Sequence, residues 1–153
     1  MYTIKLDDLC GEQIITLLEE HLADMQATSP PESKHALDLS GLKSASVKFW
    51  TIWDSEILAG CGAYQQLDAA HAEIKSMRTA TAYKGKGVAS RLLKHLIEDA
   101  KLSGYQKISL ETGSMDYFKP AHALYKKHGF VFCSPFADYV EDVNSQFMTL
   151  NLP

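Results

Sequence analysis

An α/β (α+β) domain built on a mixed, mostly antiparallel sheet of about six to seven strands is the fold this 153-residue chain predicts. Two observations carry it. Three β-rich runs, residues 47–53, 57–67 and 71–79, follow one another across turns of a few residues, which reads as an antiparallel meander. A glycine turn and a one-sided helix then separate the last of these runs from strand-like residues 107–112. That is a βαβ unit, whose strands must be parallel and whose crossover must be right-handed.

The elements follow in chain order. Residues 2–6 alternate like a short strand, and 11–27 place Ile14, Ile15, Leu18, Leu22 and Met25 on one helical face. Pro30 and Pro31 stop that helix, because Pro31 has no N–H and disfavours helical backbone before it. Pro31 can also restart a short helix through residue 39. The turns Asp54-Ser55-Glu56 and Asp68-Ala69-Ala70 join the meander. From Gly87 onward, Val88, Leu92, Leu93, Leu96, Ile97 and Ala100 recur at helical spacing, with Lys94, His95, Glu98 and Asp99 opposite and Gly104 as the stop. A last helix fits 120–128, capped by Gly129, between the 107–112 strand and strands at 130–132 and 146–152.

Composition bounds the function. A chain of 153 residues fits one domain, 1–153, with 46% hydrophobic and 22% charged residues. A net charge of −4 argues against non-specific nucleic-acid binding. Cys10, Cys61 and Cys133 show no CxxC or metal-ligand spacing and are expected as buried thiols in a reducing compartment. The six histidines, His21, His35, His71, His95, His122 and His128, never form HxxxH or HxH, so no metal is expected and most are placed on the surface. The N-terminus has no signal-peptide core and no apolar run reaches membrane-spanning length, so the expected location is cytoplasmic, with no membrane partner.

The stretch Lys84-Gly85-Lys86-Gly87-Val88-Ala89 is the strongest functional signal, since two glycines and the amides at a helix start can cradle a phosphate. Three ligands compete. A triphosphate-binding GxxxxGK[ST] cannot be laid over residues 79–90. A dinucleotide GxGxxG nearly fits, with Glu111 at the end of the next strand as the ribose acid. However, Ser90 replaces the third glycine, and five residues separate Thr79 from Gly85 where that turn should follow its strand directly. The dinucleotide stays as runner-up. Coenzyme A is the third, its pyrophosphate on the amides of Gly85 to Ala89 and its pantetheine arm along the strand ending at Thr79.

Two segments extend the third reading. The run Met77-x-Thr79-x-x-x-Tyr83-Lys84-Gly85-Lys86-Gly87-Val88-Ala89-Ser90, followed by Ala121-His122-Ala123-Leu124-Tyr125-Lys126-Lys127-His128-Gly129-Phe130, resembles the GNAT acetyltransferase superfamily. The first matches its [RQ]xxGx[GA] signature, with Lys84 at the Arg or Gln position, and the second its AxxLYxxxGF segment, with Phe118 where asparagine is usual. The resemblance spans nearly the whole chain. It implies the GNAT fold, with helices on both faces of the sheet, in a small single-domain enzyme that works as a monomer or homodimer. It also implies acetyl-CoA as co-substrate and a small-molecule amine as acceptor, by direct attack in a ternary complex. A protein amine, a hydroxyl acceptor and a non-catalytic acyl-CoA-binding module remain open alternatives.

The resemblance assigns Met77, Arg78, Thr79, Lys84, Gly85, Lys86, Gly87, Val88, Ala89 and Ser90 to the cofactor. Acyl transfer to an amine must remove a proton from an ammonium with a pKa near about 10.4 and return one to a thiolate with a pKa near about 8.5. Tyr125 matches the tyrosine that protonates the leaving thiolate. Glu73 matches a strand glutamate that serves as base, placed by alternation on one face with Lys75, Met77 and Thr79, and Glu111 is the alternative. A backbone N–H near Thr79 would polarise the thioester oxygen. On the acceptor side, His35 and Thr112 are the candidates, with Trp50, Trp53, Tyr64, Phe136, Asp138 and Tyr139 open either to that wall or, as aromatic residues in strands more often are, to the core.

Overall fold

The computed structural model describes residues 2–28 and 39–153. Among these residues lie β1 (Tyr2–Leu6), α1 (Glu12–Thr28), α2 (Leu39–Leu42), β2 (Val47–Asp54), β3 (Ile57–Gln66), β4 (His71–Thr79) and α3 (Val88–Leu102). After them come β5 (Lys107–Gly113), α4 (Lys119–Lys127), β6 (Val131–Cys133) and β7 (Ser145–Asn151). The strands form one seven-stranded sheet in the order β1-β2-β3-β4-β5-β7-β6. Every neighbouring pair is antiparallel except β4 and β5, which are parallel. The mixed α/β architecture predicted from the sequence is the one observed. The short helix expected over 31–39 lies outside the described residues except for its last position, where α2 begins.

Helices cover both faces because two apolar stripes are buried separately. Val88, Leu92, Leu93, Leu96 and Ile97 of α3, with Tyr125 of α4, pack against Ile52, Ile74, Ile108, Leu110 and Met148. On the other face Ile14, Leu17 and Leu18 of α1, with Leu42 of α2, pack against Phe49, Leu58, Cys61 and Ala63. Each fully buried Leu or Ile contributes about 1.5 to 3 kcal/mol relative to exposure. Gln13 fixes α1 to the β2–β3 turn through both ends of its amide: Nε2 donates to the Glu56 carbonyl at 3.0 Å, and Oε1 accepts from the Leu58 N–H at 2.8 Å.

Strict alternation fails in β4, and the failure corrects one expectation. Opposite β3, Ala63 pairs with Lys75 and Cys61 with Arg78, so Ser76 and Met77 together face Gly62. Ser76 takes φ 57°, a β-bulge that inserts one residue and reverses the facing of everything after it. Glu73 and Lys75 therefore share the α1 face, whereas Met77 packs on the α3 side. A Cβ added at Gly62 would meet its sulfur together with Leu92 and Leu96.

The bulge also opens the sheet. The parallel ladder between β4 and β5 runs from His71/Lys107 to Ile74/Leu110 and stops there. Beyond it, among the described residues, β4 keeps only β3 as a partner, and β5 keeps only β7. A V-shaped gap is left, edged by backbone groups without a strand partner.

Candidate active site

The first part of the site is the start of α3. Gly85 has φ 77° and Gly87, at the helix N-cap, φ 79°, and a Cβ built at either position would meet nothing within 4 Å. The glycines are thus required by backbone geometry rather than by crowding, since a side-chain-bearing residue there costs about 1 to 2 kcal/mol. Space above the turn is open. Among the described residues no side chain caps this helix, and no acidic residue lies in its first turn. The first ladder bond runs from the Arg91 N–H to the Gly87 carbonyl at 3.1 Å, so the amides of Val88, Ala89 and Ser90 are the orphan donors of the helix start.

Side chains around the turn are occupied elsewhere. Val88 is buried in the core, and Ser90 Oγ bonds His128 Nε2 at 2.8 Å, tying the start of α3 to the end of α4. A 3-10 turn, Thr81–Tyr83, fills the space between β4 and the glycines, anchored by Tyr83 donating to Asp54 Oδ2 at 2.8 Å. Lys84 and Lys86 are exposed beside the glycines. Arg78, expected at the cofactor, turns its side chain to the α1 face, where Nη1 meets Asp24 Oδ2 at 2.5 Å.

The second part is a cavity of about 130 Å3 in the gap itself, whose walls include Glu73, Lys75, Met77, Glu111, Thr112 and Tyr125. Tyr125 is brought there by α4, and its ring packs edge-on against Phe130. The hydroxyl has no hydrogen-bond partner among the described residues, and burial pushes the phenol well above its usual range. Glu73 is 3% exposed. Its Oε2 accepts from the Tyr139 hydroxyl at 2.5 Å and lies 3.2 Å from Lys75 Nζ, which also donates to that hydroxyl at 3.3 Å. Burial and the adjoining Glu73 carboxylate both raise the Tyr139 phenol far above the ordinary value. Glu111 lies one residue past the end of the ladder, on the same wall. Thr112 Oγ1 bonds His122 Nε2 at 2.6 Å and donates to the Gly113 carbonyl at 3.0 Å. Phe118 closes the back of the cavity against Gly113, where a Cβ would run into its ring.

Five of the residues singled out from the sequence, Glu73, Met77, Glu111, Thr112 and Tyr125, thus border one cavity. The amides of Val88 to Ser90 lie separately, at the start of the covering helix. His35 falls outside the described residues. Tyr139, one of the further wall residues named from the sequence, lines this cavity too, whereas His21 was not selected. Tyr139 belongs to the loop between β6 and β7, 66 residues from Glu73 in sequence. His21, placed on the surface by its lack of metal spacing, lines the cavity from α1. Burial and the neighbouring Arg78 guanidinium lower its pKa to about 4.

That shift has a definite pH consequence. Above the unfolded value near about 6.5 the imidazole is neutral in both states, so pH has no effect through it. As pH falls from there towards about 4, the unfolded chain takes up the proton first, and the fold loses at most about 3 kcal/mol through this group. His21→Asn is expected to flatten the melting-temperature profile between those values. Profiles that stay parallel would remove His21 as a source of acid sensitivity.

The other described histidines are not free surface groups either. His71 Nε2 bonds the buried Ser109 at 2.7 Å, His122 and His128 are bonded as above, and the His95 ring meets Trp50 edge-on at 4.4 Å. Of the cysteines, Cys61 is buried with its thiol pushed up to about 12, Cys133 is half-buried, and Cys10 is exposed, contrary to expectation, because it lies on the β1–α1 loop. Among the described residues no group of three or more His, Cys, Asp or Glu side chains gathers as metal ligands would, and no helix is long and apolar enough to cross a membrane.

Comparison with known proteins converges on one family. The model of the acetyltransferase (GNAT) family matches residues 14–130. The uncharacterized N-acetyltransferase YsnE of Bacillus subtilis (strain 168) is 54% identical over 97% of this chain and 99% of its own. The uncharacterized N-acetyltransferase YedL of Escherichia coli (strain K12) is 47% identical over 99% of this chain and 96% of its own. A solved Bacillus subtilis acetyltransferase in complex with CoA shares the fold at 20% identity, with a TM-score of 0.75 over the full length of both chains. With its glycine turn at the start of α3 and its sheet parted beside Tyr125, this chain is an acyltransferase that belongs to the acetyltransferase (GNAT) family.

Proposed function

We propose that this protein transfers an acetyl group from acetyl-CoA to a small-molecule amine by direct attack in a ternary complex. The observation that carries the reading is the parted sheet. One cavity at the gap between β4 and β5 holds a buried phenol and two carboxylates, and the helix next to it begins with open, uncapped amides. The pyrophosphate rests on the amides of Gly85 to Ser90, with Lys84 and Lys86 beside it. The pantetheine arm runs along the backbone of Met77, Arg78 and Thr79, whose strand edge lacks a partner in the gap. The solved relative that carries CoA supports the same ligand here.

The chemistry follows from the cavity walls. The amine nitrogen attacks the thioester carbon, and its proton passes to a carboxylate. Glu73 is the first choice, because Tyr139 and Lys75 both engage Oε2 and leave Oε1 for the acceptor. Glu111, on the same wall, is the alternative. The C–S bond then breaks, and Tyr125 gives its proton to the departing thiolate. Burial keeps the phenol protonated and so able to donate. A cavity of about 130 Å3 suits a small acceptor.

Titration calorimetry with CoA, acetyl-CoA and NAD tests the donor. The two CoA species should bind and NAD should not, while NAD binding without CoA binding would overturn the proposal. Release of CoA thiol over a panel of amines then separates a transferase from a module that only binds the donor.

A further inference from the structure

Resting on the acetyl-transfer reading, we infer that the acceptor is an α-amino acid with a small aliphatic side chain, its amine directed to Glu73 and its carboxylate to Lys75. The starting point is a cation in a wall where a plain amine would not want one. The Lys75 side chain is 11% exposed and lines the cavity. An ammonium has three donors. One is given to the Tyr139 hydroxyl at 3.3 Å, Nζ stands 3.2 Å from Glu73 Oε2 as an ion pair, and no further partner is found among the described residues. A buried charge with an unused donor is costly until something completes it.

A simple ammonium entering this cavity would meet Lys75 as a like charge beside the carboxylates of Glu73 and Glu111, and it would leave the spare donor of Lys75 unsatisfied. An acceptor carrying both signs reverses that. Its carboxylate completes the shell of Lys75, and its amine takes the free oxygen of Glu73, on the same strand face and two residues away. The Arg78 guanidinium lies on that face as well, near His21, but it is paired with Asp24, so Lys75 is the cation that faces the acceptor.

The side chain has a place of its own. A second hollow of about 60 Å3, walled by Ile15, Leu18, Leu22 and Leu42, adjoins the first and shares His21 and Ser76 with it. Its apolar lining favours a short aliphatic group. Transfer forms the amide bond of an N-acetyl amino acid and releases CoA as the thiol, the amine proton leaving through Glu73.

The test is thiol release from acetyl-CoA with glycine, alanine, valine, leucine and methionine, each compared with its methyl ester and its decarboxylated amine. The free acid should exceed ester and amine at least tenfold in kcat/KM, with valine or leucine above glycine. Lys75→Met should bring the acid-to-ester ratio close to one, and Lys75→Arg should preserve it. An ester as good as its acid, or an unchanged ratio in folded Lys75→Met, overturns the assignment. If Lys75→Met does not fold, the wild-type ratio decides. Acetyl-CoA binding without acetylation of any free amino acid refutes this acceptor and leaves the transferase reading standing. A failure to bind acetyl-CoA strikes that reading instead.

Discussion

Tyr125→Phe is expected to lower kcat by about 100-fold or more, the usual contribution of a positioned general acid, while the affinity for acetyl-CoA stays within about threefold. The site is favourable for so clean a result. The hydroxyl has no hydrogen-bond partner among the described residues and the ring keeps its edge-on contact with Phe130, so removing one oxygen breaks no bond and leaves the packing intact. The melting temperature should hold. Because burial keeps the phenol protonated well above its ordinary pKa of about 10, ionisation of Tyr125 should not limit the alkaline side of the rate profile. Single-turnover measurement of thiol release separates the acid's loss from any change in binding, and an unchanged kcat would remove Tyr125 from the chemistry.

Glu73→Gln is the second large effect. Gln is nearly isosteric and can still accept from Tyr139, but it cannot take a proton from an amine, so kcat should fall by about 100-fold. Stability should fall too, because Lys75 would lose the counter-charge of a buried pair, a change that costs about 3 to 5 kcal/mol where the remaining charge stays enclosed. The double variant Glu73→Gln with Lys75→Met should recover much of that stability and none of the activity. Thermal melts and steady-state kinetics on the three variants check both halves. Full activity in Glu73→Gln would move the base to Glu111 on the same wall.

The parts legible in the sequence are those governed by local chemistry. The glycine turn announced itself because only glycine adopts the positive φ of Gly85 and Gly87 without strain, and the apolar stripe from Val88 to Ala100 follows the helical period. Tyr125, Glu73 and Glu111 were found through motif and strand position, and the fold then drew them to one cavity. What the sequence misplaced, or named without its contact, depends on distant contacts or on a local irregularity with no composition signal. Ser76 adopts a left-handed backbone with neither Gly nor Pro to mark it, so alternation misplaced Met77 on the face of Glu73. Nothing in the α1 period separates His21 from a surface histidine, since its burial comes from the sheet beneath. Tyr139 reaches Glu73 only because β7 brings its preceding loop back beside β5.

The most direct test is to follow the backbone amide resonances of the 15N-labelled protein during titration with CoA. The amides of Val88, Ala89 and Ser90 should shift together with those of Met77 to Thr79 and of Glu111 and Thr112, because one ligand spans the helix start and the gap. Under titration with 3′,5′-adenosine diphosphate, which lacks the pantetheine arm, the gap residues should stay still. Shifts clustered away from the α3 start, or none at the parted strands under CoA, would contradict the placement of the acyl donor.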